Sequence, residues 1–168
     1  RKPMSEPCKP TIRLAKESDS GIVYQFILDL AEYEGKRSSV RATPKEIHAA
    51  LFGEPRFLES ILGCIDREPV GFATFYPTIS TFDGRPGLFI EDLFVKPQWR
   101  SRGVGRALLQ ALAEIALDRK WARLEWLTLK WNRTAIDFYQ SIGGVIQDEW
   151  HVFRINDTSL TKLAGREP

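Results

Sequence analysis

Apolar positions along the chain follow two periods, and the switches between them mark out its elements. Over 11–15, TIRLA alternates and carries β-branched side chains, which predicts a first strand before the polar cluster Glu17, Ser18, Asp19 and Ser20. Over 21–34 the apolar residues Ile22, Val23, Phe26, Ile27, Leu30 and Ala31 recur every three or four positions, the spacing of one buried helical stripe. Tyr33 and Glu34 fall where that helix ends. A complete start signal for a short second helix follows in TPKEIHAALFG. Thr43 stands as cap, Pro44 in the first helical position, Glu46 three residues after the cap, and Gly53 as a stop.

Three strands are predicted over 58–65, 70–78 and 88–95, separated by the turns DREP and FDGRPG, and should form an antiparallel meander. From Val104 the positions Ala107, Leu108, Ala111, Leu112 and Ile115 return to helical spacing, ending near Arg119 and Lys120. RLEWLTL at 123–129 reads as a further strand. Asn132 can cap a final helix whose stripe runs through Ala135, Ile136, Tyr139 and Ile142, closed by Gly143 and Gly144. VIQDEWHVFRI at 145–155 is expected to supply a final strand or pair, and the polar tail beyond it can add a last helical turn. The order is a mixed α/β pattern in which one helix joins two strands that can lie parallel.

With 168 residues and 43% hydrophobic side chains, the chain suits one continuous core, expected over 11–168. Residues 1–10 read as a flexible N-terminal segment, and the first three, ahead of the sole methionine Met4, as a tag remnant or a product of processing. Lys and Arg number 24 against 22 acids, a balance too even to argue for nucleic acid or an anionic membrane. No apolar run reaches the length of a membrane span. Cys8 and Cys64 lack metal-ligand spacing, and His48 and His151 lie apart from any ligating pattern, so no metal is expected and the reading is a reduced, cytoplasmic protein.

Candidate chemistry sits in QWRSRGVGRALL at 98–109, where a strand passes through a glycine turn into a helix. A helix N-terminus presents unpaired N–H groups and a positive dipole end, Gly103 and Gly105 let an anion approach, and Arg100, Arg102 and Arg106 add charge. A tight turn with solvated arginines is the alternative. A nucleotide-hydrolysing phosphate loop lacks its Lys-Ser/Thr here, and a dinucleotide fingerprint fails at Leu108.

Arg100-x-x-Gly103-x-Gly105 after the strand LFIEDLFV resembles the acetyl-coenzyme A signature of the GNAT superfamily of N-acetyltransferases. IEDLFVKPQWRSRGVGRALL and WNRTAIDFYQSIGG resemble its diamine (spermidine/spermine) and thialysine-acetylating branch, in register over about residues 11–165. The resemblance implies a central, mostly antiparallel sheet flanked by helices, with acetyl-coenzyme A as co-substrate. It places the pyrophosphate on Arg100, Ser101, Arg102, Gly103, Val104, Gly105 and Arg106, and pairs pantetheine with the backbone of Leu93, Phe94 and Val95. One N–H there would polarise the thioester carbonyl. Ser101 stands where close relatives often carry glycine. Asn132 and Ala135 would contact the coenzyme, although spacing alone makes Asn132 a helix cap.

Tyr139, by spacing a core aromatic, is by resemblance the general acid that protonates the departing thiolate. Glu91 is placed on the acceptor side, binding the ammonium and accepting its proton through water. Strand alternation should send Glu91 and Asp92 to opposite faces, with Asp92 a substrate ligand or a structural charge. Tyr33, Glu34 and Glu149 match positions lining an anionic acceptor channel. Neutral Ser80 and Thr81 stand where a polyamine enzyme would carry an acid, so thialysine, lysine or another short amine fits as well as spermidine or spermine. The expected reaction is direct acetyl transfer to a small primary amine, by a homodimer of the family's kind. An aminoglycoside or protein-lysine acceptor, or a non-catalytic coenzyme A sensor, are the alternatives.

Overall fold

A computed structural model describes residues 9–166. Cys8 and residues 1–8 of the expected N-terminal segment lie outside the described residues. The chain divides into two compact units, Arg1–Leu127 and Thr128–Pro168.

The first unit carries β1 (Thr11–Leu14), α1 (Ser20–Tyr33), α2 (Pro44–Phe52), β2 (Glu59–Ile65), β3 (Glu68–Ser80), β4 (Arg85–Val95), α3 (Val104–Asp118) and β5 (Leu124–Trp126). The strands lie in the sheet in chain order, antiparallel from β1 to β4, and β5 closes parallel to β4 after the α3 crossover. The meander and the parallel pair are therefore as the pattern predicts. α2 begins with the expected capping box, Thr43 accepting from the Glu46 amide while Glu46 accepts from the Thr43 amide.

Strand periodicity divides the sheet's side chains between two helical layers. On one face Leu62, Cys64, Phe72 and Phe94 join Val23 and Phe26 of α1 and Leu51 of α2. The Phe26 and Phe72 rings stack at 5.2 Å. Truncating such a buried ring to alanine costs about 3–5 kcal/mol. The opposite face receives α3 through the fully buried Leu108 and Leu112. α3 starts close against the strands because β2 is bare at Gly63, where a Cβ would stand 2.9 Å from Val104 Cγ1. That contact fixes the height at which the glycine turn leaves the sheet.

β5 is shorter than the predicted 123–129. Its ladder with β4 covers only Leu88–Leu124, Phe89–Glu125 and Ile90–Trp126. The cause lies in β4: Thr74 pairs with Asp92 but Phe75 with Ile90, so Glu91 is an extra, bulged residue. A bulge bends its strand and ends the neighbouring ladder.

The second unit contains α4 (Arg133–Ser141) and α5 (Asp157–Leu163). Asn132 caps α4 as expected, its Oδ1 accepting from the Ala135 amide at 3.2 Å. Gly143, at φ +96°, lets the Gly144 amide reach back to the Tyr139 carbonyl at 2.9 Å. The expected strand over 145–155 is absent: the segment enters no ladder, and Val145, Trp150 and Phe153 are exposed. An apolar, β-branched pattern makes a strand only where another strand satisfies its backbone, and none does so among the described residues.

Candidate active site

Past the Glu91 bulge, β4 is bonded on one edge only. The Lys96 amide donates to Val70 at 2.9 Å, and Phe72 faces Phe94 and Thr74 faces Asp92 in the same register. The alternation of an antiparallel ladder then turns the backbone of Leu93 and Val95 away from β3, toward the side where β5 has ended. A row of strand-like donors and acceptors is thereby left for an extended ligand.

The turn that follows is shaped by two residues in the left-handed region, Ser101 at φ +59° and Gly103 at φ +82°. For serine this conformation is disfavoured by about 1–2 kcal/mol. Arg100 ties the turn back, its Nε donating to the Val95 carbonyl at 3.0 Å. Its guanidinium lies 4.4 Å over the Tyr33 ring and 5.5 Å over Phe94, while Arg102 lies 4.9 Å over Trp99. Gly103 caps α3 without a side-chain bond, so the first-turn amides, those of Val104 and Gly105 included, have no partner within the helix. Arg106 is exposed in the same turn. Gly105 is not demanded by packing, because a Cβ there would meet only Val95 Cγ2 at an ordinary 3.9 Å. Space kept beside uncapped helical amides, with arginines around it, fits a phosphate-bearing group.

The face of β4 toward α1 gathers acids. The Thr74 hydroxyl donates to Asp92 Oδ2 at 2.5 Å. Tyr76 lies two residues along the same face of β3, and burial foremost, with the nearby Glu91 carboxylate, holds its phenol above the usual tyrosine range. Asp92 and Glu91 therefore share one face. The opposite-face expectation from simple alternation is wrong, because the bulge inserts a residue between them and the register below. Burial foremost, and then the charges of Glu91 and Glu34 against the Thr74 hydrogen bond, push Asp92 up to about 6. Glu34 sits at the end of α1, beside Tyr33, whose ring lies 6.5 Å from Phe94. Tyr33, Glu34, Glu91 and Asp92 are thus neighbours around one wall. Thr74 and Tyr76 complete it and were missed in the sequence, although two polar side chains two apart in an apolar strand were the available signal.

The other expected site residues belong to the second unit. Ala135 and Tyr139 are half-buried on α4, and the Tyr139 ring lies 5.6 Å from Phe138. Asn132 spends its oxygen on the cap, which leaves its NH2 as the donor for a ligand. Glu149 is exposed and accepts from Trp150 Nε1 at 3.1 Å. Among the described residues no cluster of His, Cys, Asp and Glu could hold a metal, and no helix is long and apolar enough to cross a membrane.

The Acetyltransferase (GNAT) family profile matches residues 24–144. The chain belongs to this family. The GNAT match spans both the glycine turn and α4, and GNAT enzymes use acetyl-coenzyme A as co-substrate. Thialysine N-epsilon-acetyltransferase of Bos taurus is 34% identical over 166 residues, covering 92% of this chain and 97% of that protein. The Caenorhabditis elegans protein of the same name is 36% identical over 142 residues, 83% of this chain and 87% of its own. An integron cassette protein from the mobile metagenome of V.cholerae superposes with a TM-score of 0.77 at 27% identity, over 93% of this chain and 98% of that one. An aminoglycoside acetyltransferase from an uncultured soil metagenomic sample shares the fold at 19% identity and a TM-score of 0.72, over 89% and 95% of the two chains. This GNAT chain is an acetyl-coenzyme A-dependent N-acetyltransferase similar to the thialysine and spermidine/spermine branch.

Proposed function

We propose that the enzyme acetylates a primary amine of a small lysine-like or diamine acceptor by direct transfer from acetyl-coenzyme A. The observation that carries this reading is the group of carboxylates Glu34, Glu91 and Asp92 on one wall, where Glu91 and Glu34 act electrostatically on Asp92. Such a wall attracts an ammonium group. Relatives named for thialysine and for L-ornithine support a short acceptor.

The roles follow from the chemistry of each residue. The uncapped amides of Val104 and Gly105, with Ser101, Gly103 and the arginines 100, 102 and 106, hold the pyrophosphate. The open backbone of Leu93 and the amide of Val95, whose carbonyl is held by Arg100, pair with pantetheine beside Phe94, and an N–H of that edge polarises the thioester carbonyl. Asn132 and Ala135 contact the coenzyme from α4. Tyr33, Glu34, Asp92 and Glu149 bind the acceptor. Glu91 takes the ammonium proton through water, because only the neutral amine has a lone pair for attack. Tyr139 protonates the departing thiolate. A covalent acyl-enzyme has no support from Cys64, which is 3% exposed inside the core.

The family match runs across the boundary after Leu127, which supports one functional domain over 11–168. The exposed apolar residues of 145–155 support a homodimer, to be read by sedimentation. A cytoplasmic location accords with the free, buried Cys64. Thiol release from acetyl-coenzyme A tests the function with thialysine, lysine, ornithine, putrescine, spermidine, spermine and an aminoglycoside. Release with the short amines is expected. Release with none, alongside coenzyme binding, refutes the acceptor class and favours a sensor or a protein substrate. Tyr139→Phe should lower turnover while sparing coenzyme binding, and unchanged turnover refutes its role as acid.

A further inference from the structure

We propose that Thr74 is a positioning residue of the acceptor site, its buried hydroxyl holding the Asp92 carboxylate in place and in the anionic form that receives the substrate ammonium. The inference rests on the reading that Asp92 binds the acceptor. Thr74 is 0% exposed, between Ala73 and Phe75, which are also 0% exposed. A hydroxyl in such surroundings needs a partner, and the ladder supplies one by setting Thr74 directly opposite Asp92. Its Oγ1 donates to Asp92 Oδ2 at 2.5 Å.

The charges acting on Asp92 are Glu91 on its own strand and Glu34 at the end of α1, both negative. Tyr76 of β3 lies near Glu91, and Arg100 lies over Tyr33 and Phe94. Burial and both acids favour the protonated carboxyl, and the Thr74 hydrogen bond opposes them. A purely structural pair gains nothing from an acid beside two others. A site that must be anionic near neutral pH gains the hydroxyl's bias.

Thr74→Val removes the hydroxyl at constant shape, and Thr74→Ser restores it. With thialysine as the varied amine between pH 5.5 and 9, Thr74→Val should move the acid limb of kcat/KM upward by about one pH unit. The amine KM at pH 6.5 should rise about threefold, the KM for acetyl-coenzyme A should not change, and the variants should converge at pH 9. Thr74→Ser should recover the wild-type profile. An unmoved acid limb, or an amine KM raised equally at pH 6.5 and 9, overturns the proposal.

Direct carbon-13 titration of the Asp92 carboxyl in wild type, Thr74→Ala and Thr74→Ser needs no substrate, so it tests the coupling even if thialysine is not turned over or the valine variant does not fold. A midpoint higher in Thr74→Ala than in the other two is expected, and equal midpoints overturn the proposal. Asp92→Asn separates the two readings. If it leaves amine KM unchanged, the acceptor role of Asp92 falls; if it raises amine KM while Thr74→Val does not, only the role of Thr74 falls.

Discussion

Asp92→Asn keeps the shape of the side chain and an oxygen to accept from Thr74, and removes one charge. Asp92 is pushed up to about 6 chiefly by burial, from a usual value of 3.8. Because the folded value lies above the unfolded one, the folded chain binds the proton more tightly. Its contribution to stability is full below about pH 4 and is lost as pH rises through 6. Two pH units correspond to about 3 kcal/mol, and partial access of solvent to the site brings the expectation to about 2–3 kcal/mol. Asp19 and Glu59 titrate in the opposite sense, held below the usual carboxylate range by hydrogen bonds from Arg13 and Arg119, so acid weakens the fold through them. They are common to both proteins and cancel in the difference. Urea unfolding at pH 4.5, 6 and 8 should therefore show the asparagine variant's midpoint gaining on wild type by about 1 M from the lowest pH to the highest. A midpoint difference that stays constant across this range refutes the argument that Asp92 ionises at the expense of the fold.

Ser101→Gly relieves a left-handed serine at φ +59° and should raise stability by about 1 kcal/mol in urea unfolding. Gly105→Ala should leave the melting temperature unchanged or slightly higher, because its Cβ meets only Val95 Cγ2 at 3.9 Å, yet weaken acetyl-coenzyme A binding about tenfold by calorimetry. Arg13→Met removes two bonds, of 2.6 and 2.9 Å, to the buried Asp19 and should cost about 2 kcal/mol at pH 7, a cost that shrinks in acid as Asp19, held below the usual carboxylate range by Arg13, takes up its proton. Thr78 Oγ1 is buried without a hydrogen-bond partner among the described residues, so Thr78→Val should stabilise by about 1 kcal/mol.

Local chemistry made the helices legible. The Thr43 box, the Asn132 cap and the three- and four-residue spacing from Val104 act within a few residues, so sequence alone carries them. The glycine turn was legible for the same reason. What sequence hid depends on partners. The segment 145–155 has a strand's composition but no ladder, and pairing is a property of two segments. Thr74 and Tyr76 gain meaning only across the register from Asp92 and Glu91. The bulge is located only by its partner strand: IEDLFV reads as an apolar strand carrying two adjacent acids, and which residue is inserted appears once β3 is laid against it.

That single bulge accounts for both halves of the site within the first unit. Without it, Glu91 and Asp92 would project to opposite faces, and β4 would have no bend to end its pairing with β5 after Ile90. With it, two carboxylates stand on the face toward α1 while the backbone of Leu93 and Val95 is released at the edge. Donor pairing and acceptor binding thus come from one inserted residue. Arg100 then joins them physically, since it holds the Val95 carbonyl through Nε and lies over the Tyr33 ring on the acceptor wall. A ligand that displaced this guanidinium toward its phosphates would disturb Tyr33 at the same moment. The order in which coenzyme and amine bind is therefore expected to be sensitive to Arg100→Lys, which keeps the charge and loses both the planar stacking and the Nε bond. Product-inhibition patterns measure that order, and a pattern identical to wild type would show that the two walls act independently.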